Sequence, residues 1–325
     1  MGKRSKTLLA IFIPLGFFLW IVLAALYPPL PTPKHPLKFY SNVLCSDLKR
    51  VTIRAIENAH SSIVLYIYGL TDPDLIRLLK KKQAEGVYVK VFFDPKASKR
   101  LPKELNAYPV KARGLMHRKI LIIDEQLTLL GTANFTPQSL KMHSNLIFGA
   151  WDKDLSCFLK DSIDSFQVFE IGETELHSFL LPDFGKEALA HLEEELRSAK
   201  KGIRVAMFTL THPRLVDALI EAINNNIPVE IAIDRYTEKG ASKKAITRLR
   251  EAGAKIIVSQ GSELLHHKWA LIDESTLIMG SANWTVAAFT KNQDCLFLFR
   301  GLQRQEQKTL NRVWKTLIKR GVTSS

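Results

Sequence analysis

One pattern of residues occurs twice in this chain with the same internal spacing, His-x-Lys-x4-Asp-x6-Gly-(Thr/Ser)-x-Asn. The residues of the two copies are His117, Lys119, Asp124, Gly131, Thr132 and Asn134, and His266, Lys268, Asp273, Gly280, Ser281 and Asn283. A single copy could arise by chance in a chain of this composition. Two copies with every spacing preserved indicate a duplicated catalytic unit, and they require a fold built from two related halves.

The similarity between the halves extends to the segments that precede each motif. The apolar runs 62–68 and 203–208 correspond, and so do the runs that end at Asp94 and Asp234, which lie 140 residues apart. The motif histidines lie 149 residues apart, so the second half carries an insertion of nine residues, which we place in the basic segment 235–250. Units of this size indicate a duplicated domain, because solenoid repeats span about 20–50 residues.

Length and composition narrow the class of protein. A chain of 325 residues, of which 46% are hydrophobic, predicts about two domains with a large core. The net charge of +14 favours polyanions, whether nucleic acid or anionic lipid headgroups, although clusters such as 80–82 could equally be solvated helix faces. The three cysteines, Cys45, Cys157 and Cys295, have no spacing typical of a metal site or a disulfide framework.

The N-terminus carries a membrane signal. Three basic residues precede the uncharged run 7–27, whose 21 residues are enough to cross a bilayer as a helix. We predict a single-pass anchor at residues 1–27, with a cleaved signal peptide as the alternative, and a stiff proline-rich spacer at 28–40. The positive-inside rule then places the catalytic domain on the non-cytoplasmic side, or outside the cell if the segment is cleaved.

Strand-like and helix-like segments alternate in each half, which predicts an α/β fold. The expected boundaries are 41–170 for repeat 1, 171–185 for a linker rich in turn residues, and 186–325 for repeat 2. Each repeat is expected to close with an amphipathic helix, at 154–168 and 304–319.

Each motif is predicted to form a β-hairpin whose turn follows the aspartate. If the turn is centred just after Glu125, His117 lies opposite Asn134 and Lys119 lies opposite Thr132, and the second copy pairs in the same way. Since side chains alternate along a strand, the His and the Lys share one face. A His, a Lys and an Asn are therefore expected to converge at the open end of each hairpin.

This trio suits a phosphodiester. Lys offers a positive charge to nonbridging oxygens, Asn offers neutral N–H donors, and the motif glycines allow close approach of backbone. Two histidines supply both a neutral imidazole to attack phosphorus and an imidazolium to protonate the leaving oxygen. Asp124 and Asp273 are interpreted as turn-forming or ion-pairing residues. No motif with metal-ligand spacing is present in the sequence, so neither a metal nor another cofactor is predicted.

The duplicated motif resembles the signature of the phospholipase D superfamily, and the resemblance covers nearly all of the chain after residue 40. It implies two α-β-α-β-α sandwich domains about a pseudo-twofold axis, one shared active site, and metal-independent catalysis through a phosphohistidine. The segment 280–285 is similar to the small nuclease and mitochondrial cardiolipin-hydrolase branch. Members of that branch are single-motif homodimers, so this chain is expected to be a fused, monomeric version.

Family members commonly carry a carboxylate eleven residues after the motif Asn, where it orients the histidine. The position holds Asp294 in repeat 2 but Asn145 in repeat 1. If contacts stay within a repeat, Asp294 raises the pKa of His266 and leaves His117 more easily deprotonated. We therefore expect His117 to attack and His266 to act as the acid. In the alternative, Asp294 stabilises a cationic phosphohistidine and His266 is the nucleophile.

Three enzymatic functions follow from this reading. The first is hydrolysis of phospholipids, favoured by the predicted anchor and the basic charge. The second is cleavage of nucleic acid, with Phe92, Phe93 and Tyr236 as candidate base-stacking residues or, alternatively, as core residues. The third is a phosphatidyltransferase of the cardiolipin synthase type, in which an alcohol replaces water. A non-catalytic binding protein is disfavoured by the two intact motifs.

Overall fold

The computed structural model describes residues 28–161 and 166–324. The membrane anchor predicted at residues 1–27 lies outside these residues. Within the described ranges, no helix has the length and apolar character needed to cross a membrane.

Repeat 1 is built on a seven-stranded sheet. Its strands are β1 (Leu37–Ser41), β2 (Ser62–Ile67), β3 (Tyr88–Phe93), β4 (Ala107–Pro109), β5 (Lys119–Ile123), β6 (Leu127–Gly131) and β7 (Leu146–Trp151). Its helices are α1 (Leu48–Glu57), α2 (Pro73–Ala84), α3 (Pro137–Lys141) and α4 (Lys153–Asp161), and a 3-10 turn spans Asn42–Leu44. The strand order is β1-β7-β6-β5-β2-β3-β4.

Repeat 2 is built on a nine-stranded sheet. Its strands are β8 (Phe166–Ile171), β9 (Thr174–Leu180), β10 (Ile203–Met207), β11 (Val229–Ile233), β12 (Lys255–Val258), β13 (Lys268–Ile272), β14 (Thr276–Gly280), β15 (Cys295–Arg300) and β16 (Val322–Ser324). Its helices are α5 (Gly185–Ser198), α6 (Pro213–Asn224), α7 (Arg235–Lys239), α8 (Lys243–Glu251), α9 (Val286–Thr290) and α10 (Arg304–Arg320). The order is β16-β12-β11-β10-β13-β14-β15-β9-β8.

The duplication seen in the sequence is also present in the topology. Strands β1 to β7 of repeat 1 correspond, by position in the sheet, to β9 to β15 of repeat 2, and β8 and β16 are additions at the two edges. The mixed α/β class with two sheets is therefore confirmed. The extra residues of repeat 2 form α7 and α8 between β11 and β12, where repeat 1 connects β3 to β4 without a helix.

Local signals in the sequence explain where several helices begin. Asp47 caps α1 by accepting a hydrogen bond from the backbone N–H of Arg50 at 2.9 Å. Helices α2 and α6 both begin at a proline, whose fixed backbone angle and missing N–H suit the first position of a helix. These starts agree with the sequence pattern because they depend only on neighbouring residues.

Three apolar clusters hold the layers together. One packs α1, α2 and α3 on the outer face of the repeat 1 sheet, and another packs α5, α6 and α8 on the outer face of the repeat 2 sheet. The third contains residues of both sheets together with α4 and α10. At its centre Phe148 contacts Phe299 and Phe297 edge-to-face, with centroid distances of 4.8 and 5.3 Å. Such pairs contribute about 0.5–1.5 kcal/mol each beyond their burial, so the two repeats share one core.

The segment predicted as a linker forms part of the repeat 2 sheet. Within 171–185, strand β9 pairs with β15. Of the predicted closing helix 154–168, the described part up to Asp161 belongs to α4, whereas Val168 lies in β8. Gly172, which suggested a linker, has φ of +66° and forms the turn between β8 and β9. Turn residues mark a hairpin as readily as a linker. The domain boundaries themselves stay a prediction.

The predicted spacer is not a free segment. Residues 37–40 of the expected 28–40 spacer belong to β1, which pairs with β7 at the edge of the repeat 1 sheet. The hydroxyl of Tyr40 donates to the carbonyl of Pro29 at 2.7 Å, and Arg54 donates to the carbonyl of Pro28 at 2.6 Å. The proline-rich segment therefore lies against repeat 1, because side chains of that repeat donate to its backbone carbonyls.

The register of the motif hairpins differs from the prediction by one residue. Ile123 pairs with Leu127, so the turn contains three residues instead of two. Asp124 and the residue after it adopt φ of 52° and 54°, which makes this longer turn possible. Every cross-strand pair is displaced, and the predicted opposition of His117 and Asn134 is wrong. The second hairpin has the same turn and the same displacement.

The turn aspartates fasten each hairpin to the start of a neighbouring strand. Oxygens of the Asp124 carboxylate accept hydrogen bonds at 2.8–2.9 Å from three backbone N–H groups, those of His60, Ser61 and Ser62. Asp273 accepts the equivalent bonds from Lys200, Lys201 and Gly202. Burial raises the pKa of the Asp124 carboxyl, but these donors outweigh it and hold the pKa below its ordinary value.

We expect Asp124→Ala to lower the free energy of unfolding by about 1–3 kcal/mol, because three N–H donors lose their acceptor. Since the folded pKa is depressed, this stabilisation is present above the ordinary pKa of aspartate and is lost as the pH falls through the folded value. Urea unfolding at neutral and acidic pH measures it, with exposed Glu173→Ala as the control. A pH-independent difference between wild type and Asp124→Ala would contradict this role.

Candidate active site

The strand that begins each motif is paired with the other repeat. The backbone N–H of His117 donates to the carbonyl of Gln293 at 2.7 Å, and that of His266 donates to the carbonyl of Ser144 at 2.9 Å. Donor and acceptor belong to different repeats in both cases. This exchange brings both histidines to the boundary between the two sheets, where one site can use both.

The histidine rings are held across the same boundary. Nδ1 of His117 lies 2.8 Å from Oδ1 of Asp294, and Nδ1 of His266 lies 3.0 Å from Oδ1 of Asn145. The expectation that these contacts stay within a repeat is therefore wrong. Because Gln293 pairs with the backbone of His117, the next residue in the chain is carried to His117 and not to His266.

The motif hydroxyls connect these partners to their own repeat. Thr132 Oγ1 donates to Oδ1 of Asn145 at 2.8 Å, and Ser281 Oγ donates to Oδ1 of Asp294 at 2.6 Å. Each hydroxyl oxygen also accepts the backbone N–H that begins β7 or β15, at 3.0 Å. The hydroxyls thus fix the side chains that orient the histidines of the opposite repeat.

Asn145 is held in a single orientation. Its Nδ2 donates to the carbonyls of Ser139 and His143 at 2.7 and 3.1 Å, which turns Oδ1 towards His266. An amide oxygen can only accept, so Nδ1 of His266 carries a hydrogen and Nε2 is the nitrogen left for chemistry. The carboxylate of Asp294 imposes the same arrangement on His117.

Both motif lysines are buried beside the histidines. Lys119 is 2% exposed and Lys268 is 1% exposed. The ammonium of Lys119 donates to the carbonyl of His117 at 2.6 Å, and that of Lys268 donates to the carbonyl of His266 at 3.0 Å. Each Lys therefore places its charge beside the histidine of its own motif.

Two aromatic residues complete this packing, and the motif search did not single them out. The ring of Tyr68 lies 5.0 Å from that of His117, and the ring of Phe208 lies 5.2 Å from that of His266. The ammonium of the Lys in the same repeat lies 5.2 Å from the centre of each ring. Their correspondence at an offset of 140 residues was a signal available in the sequence.

Two further aspartates anchor the start of the motif strands. Asp94 accepts the backbone N–H of Met116 at 3.1 Å, and Asp234 accepts that of Leu265 at 3.0 Å. Both carboxylates are buried, and each holds the residue directly before the motif histidine. Sequence comparison noted them only as the ends of matched strands.

The remaining motif residues have distinct environments. The Oδ1 atoms of Asn134 and Asn283 are buried without a hydrogen-bond partner among the described residues. A Cβ at Gly131 would collide with the carbonyl of Leu146, and one at Gly280 with the carbonyl of the first residue of β15. These glycines therefore allow close approach of the neighbouring strand.

Burial disfavours the charged forms of the basic groups in the site. Burial, reinforced by the lysines, lowers the pKa of His117 despite Asp294, and lowers that of His266 well below its ordinary value. Burial likewise lowers the pKa of Lys119 to about 8 and that of Lys268 strongly. Asp294 is the carboxylate hydrogen-bonded to a motif histidine. A bound anion would oppose this effect and favour the charged forms of these groups.

Within residues 28–161 and 166–324, no group of three or more His, Cys, Asp or Glu side chains is placed to hold a metal ion.

Comparison with known proteins places this geometry in context. The family described as "Cardiolipin synthase, PLD-like domain" matches residues 52–165 and 192–314, which together are more than half of the chain. The chain is 29% identical over 130 residues to a mitochondrial cardiolipin hydrolase of Xenopus laevis, covering 39% of this chain and 61% of that protein. It is 23% identical over 167 residues to a phospholipase D of Rickettsia typhi, covering 48% and 81% of the two chains.

The match spans less than two thirds of the length of the cardiolipin hydrolase. Among solved structures, the phosphatidylserine synthase of Haemophilus influenzae Rd KW20 superposes with a TM-score of 0.72 at 13% identity, covering 91% of this chain and 89% of that one. At this identity the likeness extends to the fold alone.

We expect inorganic phosphate to raise the melting temperature of the protein, because an anion relieves the repulsion among the buried cations and binding to the folded state stabilises it. The rise should be smaller in Lys268→Met, which removes one of those cations. The rise is measured separately for each protein, as the difference in melting temperature with and without phosphate. Any effect of the substitution on the stability of the phosphate-free protein therefore cancels. An equal rise in both proteins would show that phosphate binds elsewhere.

Proposed function

This chain belongs to the phospholipase D superfamily, and on that basis we propose that it hydrolyses phospholipid phosphodiesters through a covalent phosphohistidine, without a metal. The observation that carries the proposal is the pair of buried His–Lys units at one boundary, each with its imidazole held at Nδ1 by a partner from the other repeat. Such an arrangement leaves two Nε2 atoms for attack on phosphorus and for protonation of the leaving oxygen.

We assign the attack to His117. Both histidines have a lowered pKa, so neutrality at rest does not distinguish them. The covalent intermediate does distinguish the two histidines, because an imidazole phosphorylated at Nε2 keeps a hydrogen on Nδ1 and carries a positive charge. The carboxylate of Asp294 neutralises that charge, whereas Asn145 offers His266 only an amide dipole.

His266 is then the acid that protonates the leaving oxygen. Its pKa is low because of burial and of the positive charges of Lys268 and Lys119. A bound phosphodiester anion opposes both lysines and raises that pKa, so the imidazolium forms when substrate is present. In the second half of the reaction the neutral ring takes a proton from water, which attacks phosphorus and releases His117.

A groove next to His266 favours a lipid substrate. It has a volume of about 590 Å³ and is bordered by Leu265, the residue directly before this histidine, and by Ser144, which forms a bridge with Leu265. Its other walls combine apolar and charged side chains, among them Met142, Ile257, Leu317, Lys141, Glu263 and Arg320. Apolar and charged side chains in one groove suit an acyl chain attached to a phosphate.

Cleavage of nucleic acid is the second candidate, and one surface favours it. Phe92 stacks on Tyr66 with centroids 4.8 Å apart, lies 5.9 Å from exposed Tyr108, and has the ammonium of Lys90 5.1 Å above it. Stacked aromatics beside a cation are typical of single-strand binding. Of the other aromatic residues considered from the sequence, Phe93 packs on the outer core of repeat 1 and Tyr236 is exposed against Arg235.

We expect the purified full chain to hydrolyse phospholipid vesicles in the presence of EDTA, and to leave labelled oligonucleotides intact. His117→Ala and His266→Ala should each lower turnover by at least about a hundredfold, because each removes a proton-transfer or nucleophilic group. Release of the headgroup alcohol measures activity, and His35→Ala, an exposed histidine outside the motifs, is the matched control.

Each part of the proposal would be contradicted by a different result. Cleavage of oligonucleotides without lipid hydrolysis would favour the nuclease, and restoration of activity by a divalent ion after EDTA would overturn metal independence. Near-normal turnover of either histidine variant would exclude a shared site. Transfer of the lipid phosphate to an added alcohol in preference to water would identify a phosphatidyltransferase.

We expect the covalent intermediate to form on His117. Substrate labelled in the transferred phosphate, mixed with enzyme and denatured rapidly in alkali to preserve phosphohistidine, should label the peptide that contains His117. Peptide mapping by mass spectrometry locates the label, and His117→Ala provides the blank. Label on the peptide that contains His266 would reverse the two roles and the argument from Asp294.

A further inference from the structure

A third histidine lies in the site and breaks the correspondence between the repeats. The ring of His143 is 6.3 Å from that of His266, centroid to centroid. At the matching position, 149 residues later, repeat 2 has Asn292. Two residues further on, Asn145 stands against Asp294, so these two differences between titrating and neutral side chains fall on one segment.

The segment holds His143 firmly while leaving its ring accessible. The backbone N–H of His143 donates to the carbonyl of Gln138 at 3.0 Å, and its carbonyl accepts from Nδ2 of Asn145 at 3.1 Å. The side chain is half-buried, and its neighbours Met142 and Ser144 line the groove beside His266. The ring of His143 is thus close to buried His266 and partly open to solvent.

We propose that His143 relays a proton between solvent and His266, whose ring lies 6.3 Å away, centroid to centroid. The inference rests on the proposed phosphodiesterase function and deepens it. In repeat 2 the corresponding segment supplies a carboxylate, Asp294, which contacts His117, whereas in repeat 1 it supplies the neutral Asn145, which can orient His266 but cannot exchange a proton with it. His143 restores a titrating group to this side of the site.

The relay is needed once in each turnover. His266 gives the proton on Nε2 to the leaving oxygen as the oxygen–phosphorus bond breaks, and takes one from the attacking water as the phosphorus–nitrogen bond breaks. When the anionic product leaves, the low pKa of His266 releases that proton to solvent. A proton must return from solvent before the next turnover, and His143 is placed to pass it on.

The charges around His143 suit this role. Burial lowers its pKa and the ammonium of Lys268 lowers it further, but the carboxylates of Asp234 and Glu263 oppose them. The pKa of His266, which His143 also faces, is lowered more strongly. The carboxylates of Asp234 and Glu263 thus favour the protonated form of His143.

The experiment compares His143→Asn, which introduces the residue of repeat 2, with His143→Gln and with His35→Asn as the control. Two probes are used: bis(p-nitrophenyl) phosphate, whose phenolate leaves without a proton, and phosphatidylglycerol vesicles, whose leaving group is an alcohol. We expect both His143 variants to lose about ten- to a hundredfold in kcat on the vesicles, most strongly at high pH, with KM unchanged. Turnover of the phenolate probe should be close to that of wild type, and added imidazole should restore part of the lost rate.

The outcomes separate the relay from other roles. A raised KM with unchanged kcat would mean that His143 contacts the substrate, and an equal loss on both probes would mean a structural role; either overturns the relay. Unchanged melting temperatures exclude misfolding as the cause of a loss. If the wild type is active and His143→Asn has no effect, only the relay is refuted. If the wild type is inactive on both probes, the proposed phosphodiesterase function is itself refuted.

Discussion

The site depends on an exchange of hydrogen bonds between the two repeats. The backbone of His117 pairs with Gln293 and that of His266 pairs with Ser144, so each motif strand starts on the other repeat. This pairing delivers Asp294 to His117 and, reciprocally, an amide to His266. The shared aromatic core brings the sheets together, but these bonds set which side chains meet. Without them each repeat would present a histidine without its orienting partner.

The same boundary buries several basic groups close together. Lys119 and Lys268 are almost fully buried beside two histidines, and burial of so many basic groups disfavours their charged forms. The protein tolerates this because backbone carbonyls and two aromatic rings contact the ammonium groups. A bound anion favours the protonated, positively charged form of all these groups. Binding of an anion and protonation of the buried histidines are therefore coupled.

Sequence predicted what is local and missed what is not. The duplicated motif, the α/β class and the helix starts at Pro73 and Pro213 follow from neighbouring residues, and the structure agrees with them. The hairpin register failed because a three-residue turn and a two-residue turn share the same residue types. The sequence predicts a linker at the position of β9, because a glycine such as Gly172 is as typical of a connection between domains as of a hairpin turn. The partner of each histidine could not be assigned, since it depends on how two distant segments pair.

The fusion of two motifs in one chain has a genetic consequence. In a homodimer one codon specifies the same residue on both sides of the symmetry axis, so any change that improves a nucleophile is also imposed on the acid. Here the segment that orients the histidines is encoded twice, and the copies differ at His143 and Asn292 and again at Asn145 and Asp294. Mutation can therefore reach the two histidines separately, and each half of the gene is free to specialise for one half of the reaction.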